Sequence, residues 1–187
     1  MANPNANRNR LIEIVKARSF STGAEIKLVS GRSSNFYFNM KPTMLDAEGA
    51  YLIATLVLDS IKGEDVDLVG GLEMGAVPLA SAVAVMSQTL GWPLQAFFVR
   101  KQAKEHGAMK LVEGLAPHES LRGKRIVILE DVTTTGGSAT KAIEAVKAEG
   151  GSIVRVISIV DRLEGAADNF KAAGIPFSAV LTIDDFR

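Results

Sequence analysis

Arg125-Ile-Val-Ile-Leu-Glu-Asp-Val-Thr-Thr-Thr-Gly-Gly-Ser138 decides how the rest of the chain is read. An apolar run ends in two adjacent carboxylates, Glu130 and Asp131. Three threonines and two glycines follow, and residues 139–147 have the pattern of a helix start. Strand, acidic pair, hydroxyl-and-glycine loop, helix is an order that cradles a phosphorylated sugar. Glycines let the backbone approach a phosphate, and the first amides of the helix direct free N–H groups at it. The hydroxyls of Thr133, Thr134, Thr135 and Ser138 add donors, and the two carboxylates suit vicinal sugar hydroxyls. The stretch has neither the glycine-led dinucleotide fingerprint nor the lysine of a Walker loop. It therefore favours a ribose 5-phosphate group over a nucleoside triphosphate. A plain solvated turn with an N-capping Thr or Ser is the simpler alternative, but two acids beside three threonines exceed what a turn requires.

Working outward, apolar runs alternate with helical periodicity. The pattern predicts strands at 67–70, 94–99, 125–129, 153–160 and 177–182, with helices at about 77–90, 138–148 and 166–173. Near-continuous apolar strands alternating with helices predict an α/β fold: a central, mostly parallel five-stranded sheet flanked by helices. Upstream, residues 1–7 read as a frayed tail and 8–17 as a helix. Short strands are expected at 26–28 and 36–38, either side of a turn at 30–34, and Asp46 is placed to cap a helix over 47–61. No linker divides the chain, so residues 1–187 are expected to form a single domain with a small N-terminal segment at about 20–45. In such sheets ligands collect at the carboxyl ends of the strands. Gly70–Ala76, Arg100-Lys101, Glu130-Asp131 and Asp161-Arg162 all follow or end strands, so one cleft can gather them.

The composition narrows the partners. With 187 residues, 47% hydrophobic and 22% charged, the chain has the profile of a globular domain with a sizeable core. Its 21 basic and 21 acidic residues cancel, which removes the long-range attraction expected of a nucleic-acid binder. The absence of cysteine excludes a disulfide framework, a thiolate zinc site and a thiol nucleophile. The polar N-terminus lacks the apolar centre of a signal peptide, and the most apolar windows are broken by Asp59, Pro78 and Gln88. A cytoplasmic location is the expectation.

Within this neutral chain, Arg100-Lys-Gln-Ala-Lys-Glu-His-Gly-Ala-Met-Lys110 sets Arg100, Lys101, Lys104, His106 and Lys110 against one acid, Glu105. An isolated cationic stretch is usually a solvated surface loop. Beside a sugar-phosphate motif it suits a pyrophosphate instead, with Gly107 and Gly114 as hinges of a flexible loop over about 101–114 that closes on the anion. Gly70–Ala76 is a second backbone-rich turn. It carries Glu73 and no lysine, and tight strand–helix packing explains it about as well.

Together these residues resemble the type I phosphoribosyltransferases, and within them the orotate enzymes. Ile128-Leu-Glu-Asp-Val-Thr-Thr-Thr-Gly-Gly137 is similar to the phosphoribosyl pyrophosphate (PRPP) signature of that superfamily. Arg100-Lys-x-x-Lys-x-His-Gly107 resembles the catalytic loop of the orotate enzymes and is the more discriminating of the two. Ser30–Asn39 and Val160–Gly165 resemble their N-terminal substrate segment and later arginine segment, so the similarity covers most of the chain.

The resemblance implies transfer of a 5-phosphoribosyl group from PRPP to orotate, giving orotidine 5′-monophosphate and pyrophosphate in pyrimidine biosynthesis. It implies Mg2+ held mainly through PRPP with Glu130 and Asp131 nearby, an N-terminal hood over the substrate, and a homodimer whose basic loop reaches the neighbouring site. It places PRPP on Arg100, Lys101, Lys104, His106, Glu130, Asp131, Val132, Thr133, Thr134, Thr135, Gly136, Gly137 and Ser138. Orotate falls to Thr134, Arg162, Tyr37 and Phe38, although neighbours on a strand face opposite ways and one of the two rings is expected only to pack.

Two positions depart from the family. Met74 and Val29 stand where many members have lysine, and Lys27 lies on the same strand face as Val29. The bond to pyrophosphate breaks with positive charge on the sugar and negative charge on the leaving group. Lys104, Arg100 and Mg2+ are accordingly expected to stabilise the leaving group while Asp131 holds the sugar ring. Arg162 suits the orotate carboxylate, with a salt bridge to Asp161 or Glu164 as its structural alternative. A purine or other pyrimidine phosphoribosyltransferase is the competing enzyme reading. A PRPP-binding transcriptional regulator is less favoured, since no basic face is evident and the loop lysines are present.

Overall fold

The inner strands of the central sheet place apolar residues on both sides, which requires helices on both faces. In the computed structural model, which describes residues 4–27, 33–102 and 111–187, that is the arrangement found. Helix α1 (Pro4–Arg18) leads into a two-stranded antiparallel hood, β1 (Phe20–Lys27) and β2 (Ser33–Phe38). A short α2 (Lys41–Met44) and α3 (Ala47–Ser60) follow. Then come β3 (Leu68–Leu72), α4 (Ala76–Thr89), β4 (Gln95–Val99), β5 (Val112–Glu113), β6 (Arg125–Thr133) and α5 (Gly137–Ala148). The chain ends with β7 (Ser152–Asp161), α6 (Ala166–Ala172), β8 (Phe177–Thr182) and a 3-10 turn (Ile183–Phe186). The sheet order is β5-β4-β3-β6-β7-β8. Its five long strands are parallel, and the two-residue β5 adds an antiparallel edge to β4.

Strand alternation builds the two cores. In β6, Val127 and Leu129 enter the cluster beneath α1, α3 and α4, whereas Ile126 and Ile128 enter the one beneath α5 and α6. Asp46 caps α3 by accepting from the Gly49 N–H at 3.1 Å, as its position predicts. The N-terminus departs from expectation. Helix α1 begins at Pro4 instead of Arg8, because proline suits the first helical turn and Arg8 forms a 2.7 Å ion pair with Asp185 at the far end of the chain. Strand β6 is also longer than predicted. Glu130, Val132 and Thr133 stay in register with Ser158, Val160 and Asp161 of β7, so the polar end of the strand is held in the sheet. No described helix is long and apolar enough to cross a membrane.

Candidate active site

The loop between β6 and α5 is short because β6 runs on to Thr133. Only Thr134, Thr135 and Gly136 separate strand from helix. Gly136 takes φ +88°, and a Cβ there would lie 2.6 Å from the ring of Phe170. Asn169 on α6 donates from Nδ2 to the Thr135 carbonyl at 2.8 Å, pinning the turn from outside. No side chain caps α5, so its first-turn amides are left to face the small concavity formed by Glu130, Val132, Thr133, Thr134, Gly136, Gly137 and Ser138. Thr133 is buried, and its Oγ1 lacks a hydrogen-bond partner among the described residues. Gly136→Ala is expected to destabilise the protein by roughly 2–4 kcal/mol, from the left-handed backbone and the overlap with Phe170. Urea unfolding checks this; a loss below about 1 kcal/mol would mean that the turn relaxes freely.

A larger cleft of about 330 Å³ lies beside it, between the carboxyl ends of β3 and β6. Its walls are Lys41, Leu72 to Gly75, Lys101, Glu130, Asp131 and Ser138. Glu130 and Ser138 thus belong to both hollows. Gly75 permits the close approach of the two strand ends, since a Cβ there would sit 2.5 Å from Oδ1 of Asp131. The backbone N–H of Lys101 donates to Oε1 of Glu73 at 2.8 Å, fastening the start of the basic segment to the β3–α4 turn.

The electrostatics follow from burial. Glu130 is buried, and its Oε2 has no hydrogen-bond partner among the described residues. Desolvation, together with the neighbouring charge of Asp131, pushes its carboxyl up to about 8; Lys101 opposes the shift. Asp131 is also raised by burial, an effect offset by the Val132 N–H and by the charge of Lys41. Two oxygen-bearing side chains in a cleft fit a hard divalent cation. The described residues hold no cluster of three or more metal-binding side chains, so such an ion needs most of its ligands from elsewhere.

A third group gathers at the end of β7. Arg162 is buried, pairs with Glu164 at 2.8 Å, and lies with its guanidinium 4.5 Å from the centre of the Phe36 ring. Its backbone N–H reaches the Thr133 carbonyl, tying it to the sugar-phosphate strand. Asp161 accepts from the Leu163 N–H at 2.9 Å, which holds Leu163 at φ +57° and turns the chain so that Arg162 faces inward. Burial raises the Asp161 carboxyl as well. The salt bridge to Glu164 is therefore present alongside the inward placement.

Several expected residues converge here, and others do not. Lys101, Glu130, Asp131 and Ser138 share the larger cleft. Val132, Thr133, Thr134, Gly136 and Gly137 line the smaller one, with Thr135 in its loop. Arg100 is turned toward Glu113 of β5 at 3.7 Å and donates to the Gln102 carbonyl. Phe38 is only 5% exposed and packs against Phe20 and Phe186 with centroids 4.9 and 5.0 Å away. It packs as a core residue in this structure. Tyr37, on the opposite face of β2, is 42% exposed. The ring beside Arg162 is Phe36, which the period-two alternation with Phe38 across β2 could have indicated. Lys104, His106 and Val29 lie outside the described residues. Lys41 and Glu73 also enter the cleft without having been singled out as ligand contacts.

Comparison with known proteins gives a consistent result. The phosphoribosyl transferase domain family matches residues 43–179. An orotate phosphoribosyltransferase of Rhodopseudomonas palustris (strain TIE-1) is 60% identical over 181 residues, 97% of this chain and 96% of its own length. Among solved structures, the Mycobacterium tuberculosis H37Rv orotate phosphoribosyltransferase in complex with Fe(III) dicitrate superposes with a TM-score of 0.82 at 37% identity, covering 96% of this chain and 98% of that one. The same enzyme in complex with PRPP gives 0.78 at 34% identity, with the same coverage.

Proposed function

The chain belongs to the phosphoribosyl transferase family, among its orotate phosphoribosyltransferases, and from that premise we propose how its residues divide the reaction. The activity is transfer of the 5-phosphoribosyl group from PRPP to orotate, giving orotidine 5′-monophosphate and pyrophosphate. The observation that carries the assignment of parts is the pair of adjoining hollows sharing Glu130 and Ser138. The smaller, lined by amides and hydroxyls at the start of α5, receives the 5-phosphate. The larger, lined by Lys41 and Lys101, receives the pyrophosphate. Glu130 and Asp131 between them accept hydrogen bonds from the ribose hydroxyls.

Mg2+ fits this arrangement when it arrives with PRPP, because Glu130 and Asp131 supply oxygens but not a full cage. Bound there, the ion would neutralise charge on the leaving group. Lys101 lies at the same cleft, and Lys104, His106 and Arg100 of the basic segment are assigned to the pyrophosphate by sequence similarity. In the described arrangement Arg100 must leave Glu113 to do so. Departure of pyrophosphate leaves positive charge on the anomeric carbon, which the half-buried carboxylate of Asp131 is positioned to favour.

Orotate is assigned to Arg162, Thr134 and Tyr37, with Phe36 backing the guanidinium of Arg162. Phe36 lies 4.5 Å from the guanidinium of Arg162 and supports it through its ring face, and the carboxylate of orotate takes the place Glu164 now has. Arg162→Ala is expected to raise the KM for orotate roughly 10- to 100-fold, the loss of a charge-assisted pair. Steady-state kinetics with each substrate varied in turn would reveal this. An unchanged orotate KM, or an equal rise for PRPP, would remove Arg162 from the orotate site.

We assign the enzyme to the cytoplasm and to a homodimer. Helix α4 contains no charged residue, and Met74 before it and Val85 on it are 61% and 68% exposed. An uncharged face of that kind suits burial against a second copy. The direct test of function is loss of orotate absorbance with PRPP and Mg2+, set beside uracil, adenine and hypoxanthine. Orotate alone should react, and chelating the metal should stop it. Turnover of another base in preference to orotate would refute the substrate assignment.

A further inference from the structure

We infer that Lys41, on the short helix between the hood and α3, is a pyrophosphate-binding residue that supplies a fixed positive charge at the mouth of the larger cleft. The inference rests on the functional reading above. Three observations carry it. Lys41 lines that cleft together with Glu73, Met74, Lys101, Glu130 and Asp131, so its side chain belongs to the site although its sequence position lies far from the signature. Its helix is anchored: Met40, Thr43 and Met44 are buried, and the Thr43 hydroxyl is 2.6 Å from that of Ser19. Its ammonium makes no ion pair among the described residues, whereas Arg8, Arg10, Arg18, Arg155 and Arg162 all do.

Charge balance gives the lysine its purpose. The cleft's walls carry three carboxylates, those of Glu73, Glu130 and Asp131, against the two ammonium groups of Lys41 and Lys101. A polyanion enters such a space only where cations face it. Met74, at the wall of the cleft, provides none, and the Lys101 backbone is held by Glu73. Lys41 is the described cation on the hood side, so a pyrophosphate gripped by both lysines is held between hood and sheet. The charge of Lys41 also counters the effect of burial on Asp131, which places the ammonium within electrostatic reach of the ribose-binding carboxylate. A role confined to partnering Asp131 is the alternative that the test must separate.

The test titrates inorganic pyrophosphate with Mg2+ into wild type, Lys41→Ala and Lys41→Arg by calorimetry, with steady-state kinetics alongside. Lys41→Ala should bind pyrophosphate roughly 10- to 100-fold more weakly, as expected for one charge-assisted contact. The KM for PRPP should rise in step while the KM for orotate and the ligand-free unfolding midpoint stay unchanged. Lys41→Arg should recover most of the affinity. Unaltered pyrophosphate binding by Lys41→Ala, with wild-type binding intact, would overturn the role. So would a fall in kcat with pyrophosphate affinity unchanged, the result of a lysine that serves only Asp131. Failure of wild type itself to bind pyrophosphate or consume orotate would overturn the functional reading along with it.

Discussion

Replacement of Glu130 by glutamine is expected to remove much of the pH dependence of stability between pH 5 and pH 8. The cause is the burial of a carboxyl whose Oε2 has no partner among the described residues. In the folded chain it titrates near 8, against an ordinary value of 4.5. Below the ordinary value the group is protonated folded and unfolded, and contributes nothing. As pH rises, the unfolded chain loses the proton first, so folding must hold a proton that the unfolded state releases. Stability therefore falls with rising pH across that window and levels off above about 8, for a total of roughly 3–5 kcal/mol from this group. Asp131 and Asp161, both raised by burial, act in the same direction. Glutamine cannot ionise, so urea midpoints at pH 5, 6.5 and 8 should drop less in the variant, whatever constant offset the amide introduces. Parallel curves for wild type and variant would show that Glu130 does not carry the effect. The same chemistry makes the site receptive: a ribose hydroxyl or a divalent cation at Oε2 would relieve the burial of the ionised form, so ligand should stabilise the protein more at pH 8 than at pH 5.

Lys104→Ala should lower turnover by roughly 10²-fold or more, the usual cost of one lost electrostatic contact to a developing charge, with the unfolding midpoint unchanged. Lys104 lies outside the described residues, and the case for it comes from the described part of the site. The cleft presents more carboxylates than lysines, and pyrophosphate gains negative charge as it departs. On the proposed reading, the two wall lysines and Mg2+ would hold the ground state, and a further cation reaching the leaving group as the bond breaks would lower the barrier. If the loop serves the neighbouring subunit, mixing Lys104→Ala with Arg162→Ala should restore activity. Each mixed dimer would then hold one site with both residues intact. No recovery after confirmed subunit exchange would place the loop over its own site. Near-normal turnover in Lys104→Ala would take that residue out of the mechanism.

Much of this arrangement is written in local sequence. The signature at Glu130–Ser138 is legible because strand, acids, glycines and helix start are consecutive, and phosphate binding by helix amides needs only that local order. Apolar runs of strand length separated by helical periods likewise determine a parallel sheet with both faces covered. Even Asp46 as a cap follows from its place before an apolar repeat. The length of β6 was less legible. Polar Glu130 and Thr133 read as loop until the register with Ser158 and Asp161 supplies the hydrogen bonds that keep them in the sheet.

Which residues from distant parts of the chain meet the signature depends on how the elements pack. Local pattern places Phe36, Tyr37 and Phe38 on one strand. Only packing against Phe20 and Phe186 assigns Phe38 to the core, and only the return of β7 brings Arg162 onto Phe36. Lys41 carries no motif and reaches the cleft because buried Met40, Thr43 and Met44 fix its helix beside the strand ends. The acidity of Glu130 is likewise a property of its surroundings. Its carboxylate type is visible in the chain, but its raised pKa comes from burial within the folded sheet and from the charge of Asp131 beside it. Residue types along the chain set the chemistry available at the strand ends; folding sets which groups share one desolvated cleft, because burial and proximity arise only when those ends converge.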